Sequence, residues 1–392
     1  MKKILIINAG SSSIKWTLFN KELHVEAKGI AQRIKMDEGI LTLDYNNQKQ
    51  DFHMPLPTFL ETVKQLVKQW EQHNIINNFD DIEKVAFRVV NGGPNLQSTS
   101  LVTDQTLSWL KESIDLAPVH NPGAIEAIEA FKVLLPHAKM SMHFDTSFHK
   151  TLPKTSFTYP INKELGDKLQ IRKYGFHGLN HNYITLKCQE ILNKEFVNIV
   201  SLHIGNGASL CAIQNNQSID TSMGFTPLAG IMMGTRSGDF DPSIIPYIIK
   251  HTNLNVDEVF KILNEKSGML GVSQISSDLR DVRDVISSND QAKFAMDLYC
   301  QRIADYLITY LNKIEGNIDA IVFTAGVGEN DDLVRQQVIN KINLINLKID
   351  NEKNKDRSFK DYTLISDSSS IIPIYVIRAE EELFIAKEAI NL

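Results

Sequence analysis

Three times along this chain a short apolar run leads straight into a turn of glycine and small polar residues: INAGSSSIK at residues 7–15, LHIGNGAS at 202–209 and FTAGVGEN at 323–330. The recurrence points to an internal duplication, with the first two segments as equivalent hairpin turns of two related units and the third supporting a nucleoside from the side of the second. Gly10 lets the backbone turn tightly, Ser11, Ser12 and Ser13 supply hydroxyl and amide donors, and Lys15 adds a mobile positive charge able to reach the outer phosphates of a nucleotide. Taken alone, the first segment has a plain β-hairpin with an ordinary polar turn as its alternative reading. No GxxxxGKS/T pattern occurs and the chain leaves the turn as a strand, so phosphate held there would lie over a hairpin without help from a helix N-terminus.

At 392 residues the chain exceeds one ordinary core, which predicts two domains of similar size with a cleft between them. With 43% hydrophobic and 22% charged residues and a net charge of −6, it has no electrostatic reason to bind nucleic acid or an anionic membrane, so an anionic substrate must be held by local cations. The three cysteines, Cys188, Cys211 and Cys300, lie far apart without CxxC spacing, which predicts buried thiols rather than a disulfide framework or a zinc site. Met1-Lys2-Lys3 followed by Ile4 to Ile7 imitates the start of a signal peptide, but the apolar run stops after four residues. No segment is long and apolar enough to span a bilayer, and a cytoplasmic protein is expected.

Strand-like runs alternate with helical periodicity, which argues for an α/β fold. Residues 58–73 place Phe59, Leu60, Val63, Leu66, Val67 and Trp70 on one face, and Thr58 with Glu61 predicts a capping box. Residues 294–314 show the same periodicity, while 197–203, 210–213, 320–324 and 372–377 read as strands. The predicted domains are 1–150, joined by a C-terminal helix at 380–392, and 151–379, with the boundary in the proline-bearing loop 150–160.

Phosphoryl transfer between two anions needs cations around the moving group and a magnesium site. Arg236 lies in MMGTRSGDFDP, where Gly234 and Gly238 give the backbone freedom, and Arg88 ends an apolar run before Asn91-Gly92-Gly93, which places it at a sheet edge. His177 sits between Gly175 and Gly178 in a loop, a donor for developing phosphoryl charge or a histidine satisfied by a backbone carbonyl, and His203 and His120 share that ambiguity. Asp145 follows an apolar run and is expected at a strand end. A carboxylate acceptor, which ordinarily titrates near pH ~4, is already ionised near neutral pH, so Asp145 would orient an arginine or a magnesium-bound water instead of acting as a base. Asn8 and an acidic residue of Glu380-Glu381-Glu382 are candidate magnesium ligands.

Together these segments resemble the acetate kinase (acetokinase) family of the sugar kinase, Hsp70 and actin superfamily. INAGSSSIK, RVVNGG, APVHNP, FDTSFH, YGFHG, HIGNGAS, DTSMGFTPLAGIMMGTRSGDFDP, SGMLGVSQISSDLRD, FTAGVGEN and EEELFIA occur in the family's order across nearly the whole chain. The resemblance implies two duplicated actin-like, ribonuclease H-like domains facing each other across a nucleotide cleft, and a phosphotransferase with a carboxyl acceptor that makes acetyl phosphate and ADP from acetate and ATP. It implies that Asn8 and Glu381 serve magnesium, or manganese in its place, that Lys15 contacts nucleotide, and that Arg88 holds the acyl substrate. It also implies that Asp145, His177 and Arg236 are catalytic. Nucleotide contacts would come from His203, Ile204, Gly205, Asn206 and Gly207, from Asp278, Leu279 and Arg280, and from Gly326, Val327, Gly328, Glu329 and Asn330.

The same resemblance implies that Val90, Val119, Phe176 and Pro227 line an acyl pocket and that the protein is a homodimer, while closure around the substrates is expected from the need to exclude water during transfer. Val119 stands where the family usually has leucine, Phe87 and Asn91 replace two histidines around Arg88, and Ala379-Glu380 alters a TNEEL-like stretch. Propionate kinase is therefore the nearer alternative, and a slow nucleotide switch of the actin and Hsp70 type the more distant one.

Overall fold

The structure is a computed structural model that describes residues 2–392. The chain divides into two compact units, Met1–Ser147 with Glu380–Leu392, and Phe148–Ala379.

In the first unit, β1 (Lys3–Ala9), β2 (Ser13–Phe19), β3 (Val25–Gln32), β4 (Gly39–Tyr45) and β5 (Gln48–Met54) form an antiparallel meander, and β6 (Ile82–Val89) and β8 (Lys139–Phe144) add in parallel beside β1. The short β7 (Ser100–Leu101) closes the far edge, so the described sheet runs β5-β4-β3-β2-β1-β6-β8-β7. The helix Phe59–Gln72 forms because its apolar residues recur at helical spacing, and it buries Phe59, Val63, Leu66, Val67 and Trp70. Trp70 meets Trp16 of β2 edge to face, ring centroids 4.9 Å apart. Thr58 caps this helix by accepting from the Glu61 N–H, but the expected capping box is incomplete, because the Glu61 carboxylate accepts from Gln65 one turn on.

In the second unit, β9 (Ile199–Ile204), β10 (Ala208–Gln214) and β11 (Gln217–Thr221) are antiparallel, β12 (Ala320–Thr324) and β14 (Ile374–Ile377) add in parallel beside β9, and β13 (Tyr362–Leu364) lies antiparallel at the edge. The order β11-β10-β9-β12-β14 repeats β3-β2-β1-β6-β8 strand for strand, which is the duplicated actin-like arrangement. The long helix is Asp290–Lys313; it begins earlier than the periodicity predicts, because the Asn289 side chain caps it by accepting from the Gln291 and Ala292 N–H groups, and Phe294 itself is exposed.

Three local expectations change. The third segment, read as a strand followed by a glycine turn, has no such turn: β12 runs directly into a short helix, Ala325–Asn330, whose first residue has a left-handed backbone, φ 66°. Arg88 lies at the end of β6, an interior strand between β1 and β8, and not at a sheet edge. A helix N-terminus does approach the first glycine turn: a Cβ on Gly123, in the first turn of the helix Asn121–Leu134, would lie 2.1 Å from the Gly10 carbonyl oxygen, so only glycine permits this packing.

Candidate active site

The hairpin register of the first unit places Asn8 directly opposite Lys15 on β2 and Arg88 on β6, and Arg88 opposite His143 on β8. Residues paired in register project to one side of the sheet, so an amide and two cations form a row across neighbouring strands. The helix Glu381–Ile390 meets this row from its acidic N-terminal turn: Glu381 pairs with Arg88 at 2.9 Å and Glu382 with Lys15 at 2.6 Å. Three further contacts seat that helix. His143 Nδ1 lies 2.8 Å from the Glu388 carboxylate, Thr99 donates to Glu388 at 2.9 Å, and Lys84 donates to the carbonyls of Ala389 and Ile390 at 2.7 Å, where a cation suits the negative helix end.

Asp145 follows β8 and accepts a two-point fork from Arg88, Nε to Oδ1 and Nη2 to Oδ2, both 2.9 Å. The pair is largely buried, side chains 20% and 4% exposed, and the two carboxylates raise the affinity of the guanidinium for its proton against the cost of burial. Asp145 thus orients an arginine, and the surface ion pair that a lone arginine usually makes is not what Arg88 forms. The residues in place of the family's histidines are packed, not exposed. Phe87 meets Phe131 edge to face at 5.7 Å, and buried Asn91 accepts from the Gly93 N–H at 2.8 Å while its carbonyl accepts from Asn121. Val90 is half-buried, and Val119, just ahead of His120 at the N-cap of the helix Asn121–Leu134, is 65% exposed.

In the second unit His177 has a left-handed backbone, φ 57°, at the start of the helix Gly178–Leu192. A non-glycine residue held this way signals a position that its surroundings define. His149 supplies one restraint, its Nε2 2.9 Å from the Phe176 carbonyl, and burial pushes its pKa down to about 4, so the ring is neutral. The His177 side chain meets a hydroxyl, Ser209 Oγ at 2.9 Å from Nδ1, and its ring stacks on His203, centroids 4.0 Å apart and 12° from parallel. Phe176 is almost fully buried, and the partly exposed Pro227 presents its carbonyl to Arg236.

Arg236 and His177 meet at the second glycine turn: a Cβ on Gly207 would lie 3.4 Å from Arg236 Nη1 and 3.7 Å from His177 Cε1. The contacts of Arg236 are the Pro227 carbonyl at 3.2 Å and the Met233 sulfur at 3.6 Å, and among the described residues it has no carboxylate partner. Burial accordingly lowers its pKa. The turn itself is braced by Gly234, which donates to the Asn206 carbonyl at 2.9 Å and whose missing Cβ would collide with the Asn206 side chain.

Three predicted nucleotide segments come together around one cavity of about 930 Å³ in the second unit: Gly205 and Asn206, then Asp278, Leu279 and Arg280, then Gly326, Val327 and Asn330. That volume accommodates a nucleotide-sized ligand. Asp278 caps the helix Leu279–Val285, and the side-chain and backbone N–H groups of Arg280 hold its carboxyl down at about 2. Other predicted members lie elsewhere. His203 and Ile204 are buried within β9, the Gly328 carbonyl accepts from Arg335, and Glu329 accepts from the Ala379 N–H at 2.8 Å, its carboxyl raised by burial. Sequence reasoning missed Ser277, Arg283, Asp284, Asp331 and Arg357, which also line the cavity. The helical spacing of Arg280, Arg283 and Asp284 was a signal for two of them. Among the described residues no three His, Cys, Asp or Glu side chains cluster as metal ligands.

Comparison with known proteins gives the family of the chain. The chain is 54% identical over 392 residues to the acetate kinase of Mycoplasmopsis pulmonis, covering 100% of this chain and 99% of the other. It superposes on the crystal structure of Porphyromonas gingivalis acetate kinase with a TM-score of 0.94 at 33% identity, covering 100% and 99% of the two chains. A propionate kinase from Francisella tularensis gives the same TM-score, 0.94, at 35% identity and full coverage of both chains. The Acetokinase family model matches residues 3–387, and the chain belongs to that family.

Proposed function

We propose that this protein is an acetate kinase, transferring the γ-phosphoryl group of ATP reversibly to acetate to give acetyl phosphate and ADP. The observation that carries the reading is Arg236, a partly buried guanidinium that among the described residues has no carboxylate partner, beside His177 and the Gly205–Gly207 turn. A charge so placed favours an anion, and most strongly one whose charge grows as the phosphoryl group moves.

Acetate arrives ionised, so no base has to create the nucleophile. Arg88, oriented by Asp145, holds the acceptor carboxylate and offsets its repulsion by the triphosphate, while Lys15 neutralises nucleotide phosphate. His177 donates to an equatorial phosphoryl oxygen, and Arg236 takes the charge that develops. Magnesium takes one or two protein oxygens and completes its shell with phosphate and water, and Asn8 with Glu381 suits such a hard cation: Glu381 contacts the guanidinium of the residue paired with Asn8 in the sheet. When bound, the ion screens the phosphate oxygens. The same reading takes the protein as a cytoplasmic homodimer without nucleic-acid or membrane partners; among the described residues no helix is long and apolar enough to cross a membrane.

The test is acyl-hydroxamate formation with Mg-ATP and, in parallel, acetate, propionate, butyrate or no acid. Acetate should give the highest kcat/KM. Because one methylene changes binding by only about 1–3 kcal/mol, and Val119 is largely exposed, propionate is the second reading. Its winning would make Val119 and Asn91 the residues to revert. ATP binding with no acid-dependent product would favour the nucleotide switch.

A further inference from the structure

Behind His177 a chain of three side chains runs into the interior. Ser201 Oγ lies 3.0 Å from His181 Nδ1, His181 Nε2 lies 2.9 Å from Ser209 Oγ, and Ser209 Oγ lies 2.9 Å from His177 Nδ1. Ser201, His181 and Ser209 are all 0% exposed. Each serine hydroxyl has one proton to donate, and a neutral imidazole has one donor and one acceptor nitrogen. The second condition holds for His181, because burial and the neighbouring imidazoles of His149 and His203 push its pKa well down.

The proton count gives the chain a direction. Among the described residues the Ser201 hydroxyl has a single side-chain or backbone partner, His181 Nδ1, so a satisfied Ser201 must donate there. His181 then carries its proton on Nε2 and donates to Ser209. The Ser209 hydroxyl, having accepted from His181, donates to His177 Nδ1. Running the chain the other way would leave the Ser201 proton without an acceptor in a fully buried site, which folded proteins avoid.

We infer that Ser201, His181 and Ser209 are positioning residues that fix His177 in the Nε2–H tautomer, so that its outer nitrogen is a hydrogen-bond donor. The functional consequence rests on the acyl-phosphate reading: a donor is what an anionic phosphoryl oxygen requires, whereas the other tautomer would present a lone pair to it. The His149 contact to the Phe176 carbonyl holds the backbone of the same loop, so ring placement and ring protonation are set by different partners.

The inference is tested on the resting protein, independently of turnover. Long-range 15N–1H NMR of imidazole-labelled protein, with the His177 signals assigned by their loss in His177→Gln, reports which nitrogen carries the proton; the spectrum is taken about two pH units above the ordinary histidine pKa, where a neutral ring is expected. The wild-type protein should show the Nε2–H form of His177. An Nδ1–H form would overturn the proposal without any relay variant having to fold. Ser201→Ala, two hydrogen bonds away from His177, should then give a mixture of both His177 tautomers and a kcat several-fold lower, and Ser209→Ala a loss of about tenfold, with ADP affinity unchanged in both. A pure Nε2–H signal persisting in both variants would also refute the relay. If the tautomers shift as described but acyl phosphate is never formed, the relay stands and the acetate kinase reading fails.

Discussion

Replacing Arg236 by methionine should make the free protein no less stable while nearly abolishing turnover. Methionine keeps an unbranched apolar stem and removes the charge. In the folded chain that charge is disfavoured by burial, and its contacts are one carbonyl at 3.2 Å and one sulfur at 3.6 Å. Relieving an incompletely bonded polar group gains about 1–3 kcal/mol, and leaving the Pro227 carbonyl without its donor costs about 1 kcal/mol, for a net gain of roughly 0–2 kcal/mol. At about 2–4 °C per kcal/mol for a unit of this size, thermal melting of ligand-free R236M should occur at or a few degrees above the wild-type midpoint. Loss of a cation that meets transition-state charge should lower kcat by about 10³, equivalent to about 4 kcal/mol. ADP affinity, measured by titration calorimetry, should stay within about threefold, because the interaction belongs to the transition state more than to the ground state. A variant that melts several degrees lower, or that loses ADP affinity in proportion to kcat, would refute the argument.

Other expectations follow from particular contacts. His149 has a folded pKa of about 4 against 6.5 for the exposed group, so the unfolded chain takes up a proton that the folded chain refuses. Its contribution to stability is intact above about pH 6.5 and falls by roughly 3 kcal/mol as pH drops to about 4, and denaturation across that window should show a shallower pH slope for His149→Gln. Glu388→Gln keeps the shape of the side chain but removes the charge from its His143 and Thr99 contacts; hydrogen exchange should quicken across residues 381–392, and unchanged protection there would show that the Lys84 contacts suffice to seat the helix. The three thiols are buried, with Cys188 and Cys300 pushed up to about 12, so a thiol reagent should label none of them in the native protein and all three after denaturation.

Much of the site was legible in the chain because glycine turns and the strands before them are local features. The runs before Gly10 and Gly205 became β1 and β9, Asp145 falls at the end of β8, and the segments around Gly205, Asp278 and Gly326 meet at one cavity. The failures share a cause. FTAGVGEN looks like the other two turns over its length, yet it opens a helix, because Ala325 takes a left-handed backbone that no residue type there announces. Arg88 reads as an edge residue because a glycine loop follows it, and β8, which arrives some fifty residues later, covers that side.

The residue pattern was enough to specify the alternation of strands and helices, the small-residue turns and the residue types needed to handle two anions, since burial periodicity and turn chemistry act within a few residues of one another. Charge pairing was settled only by the folded chain. Among the described residues Arg88 has two carboxylate partners and Arg236 has none, and the difference comes from Asp145 at the end of one strand and Glu381 on a helix nearly three hundred residues away. The direction of the hydrogen-bond chain behind His177 likewise depends on which buried hydroxyl has a single partner among the described residues, a property of strands β9 and β10 packed against the helix Gly178–Leu192. Such pairings depend on which distant side chains the strand order brings within about 3 Å, and no local run of residues carries that information.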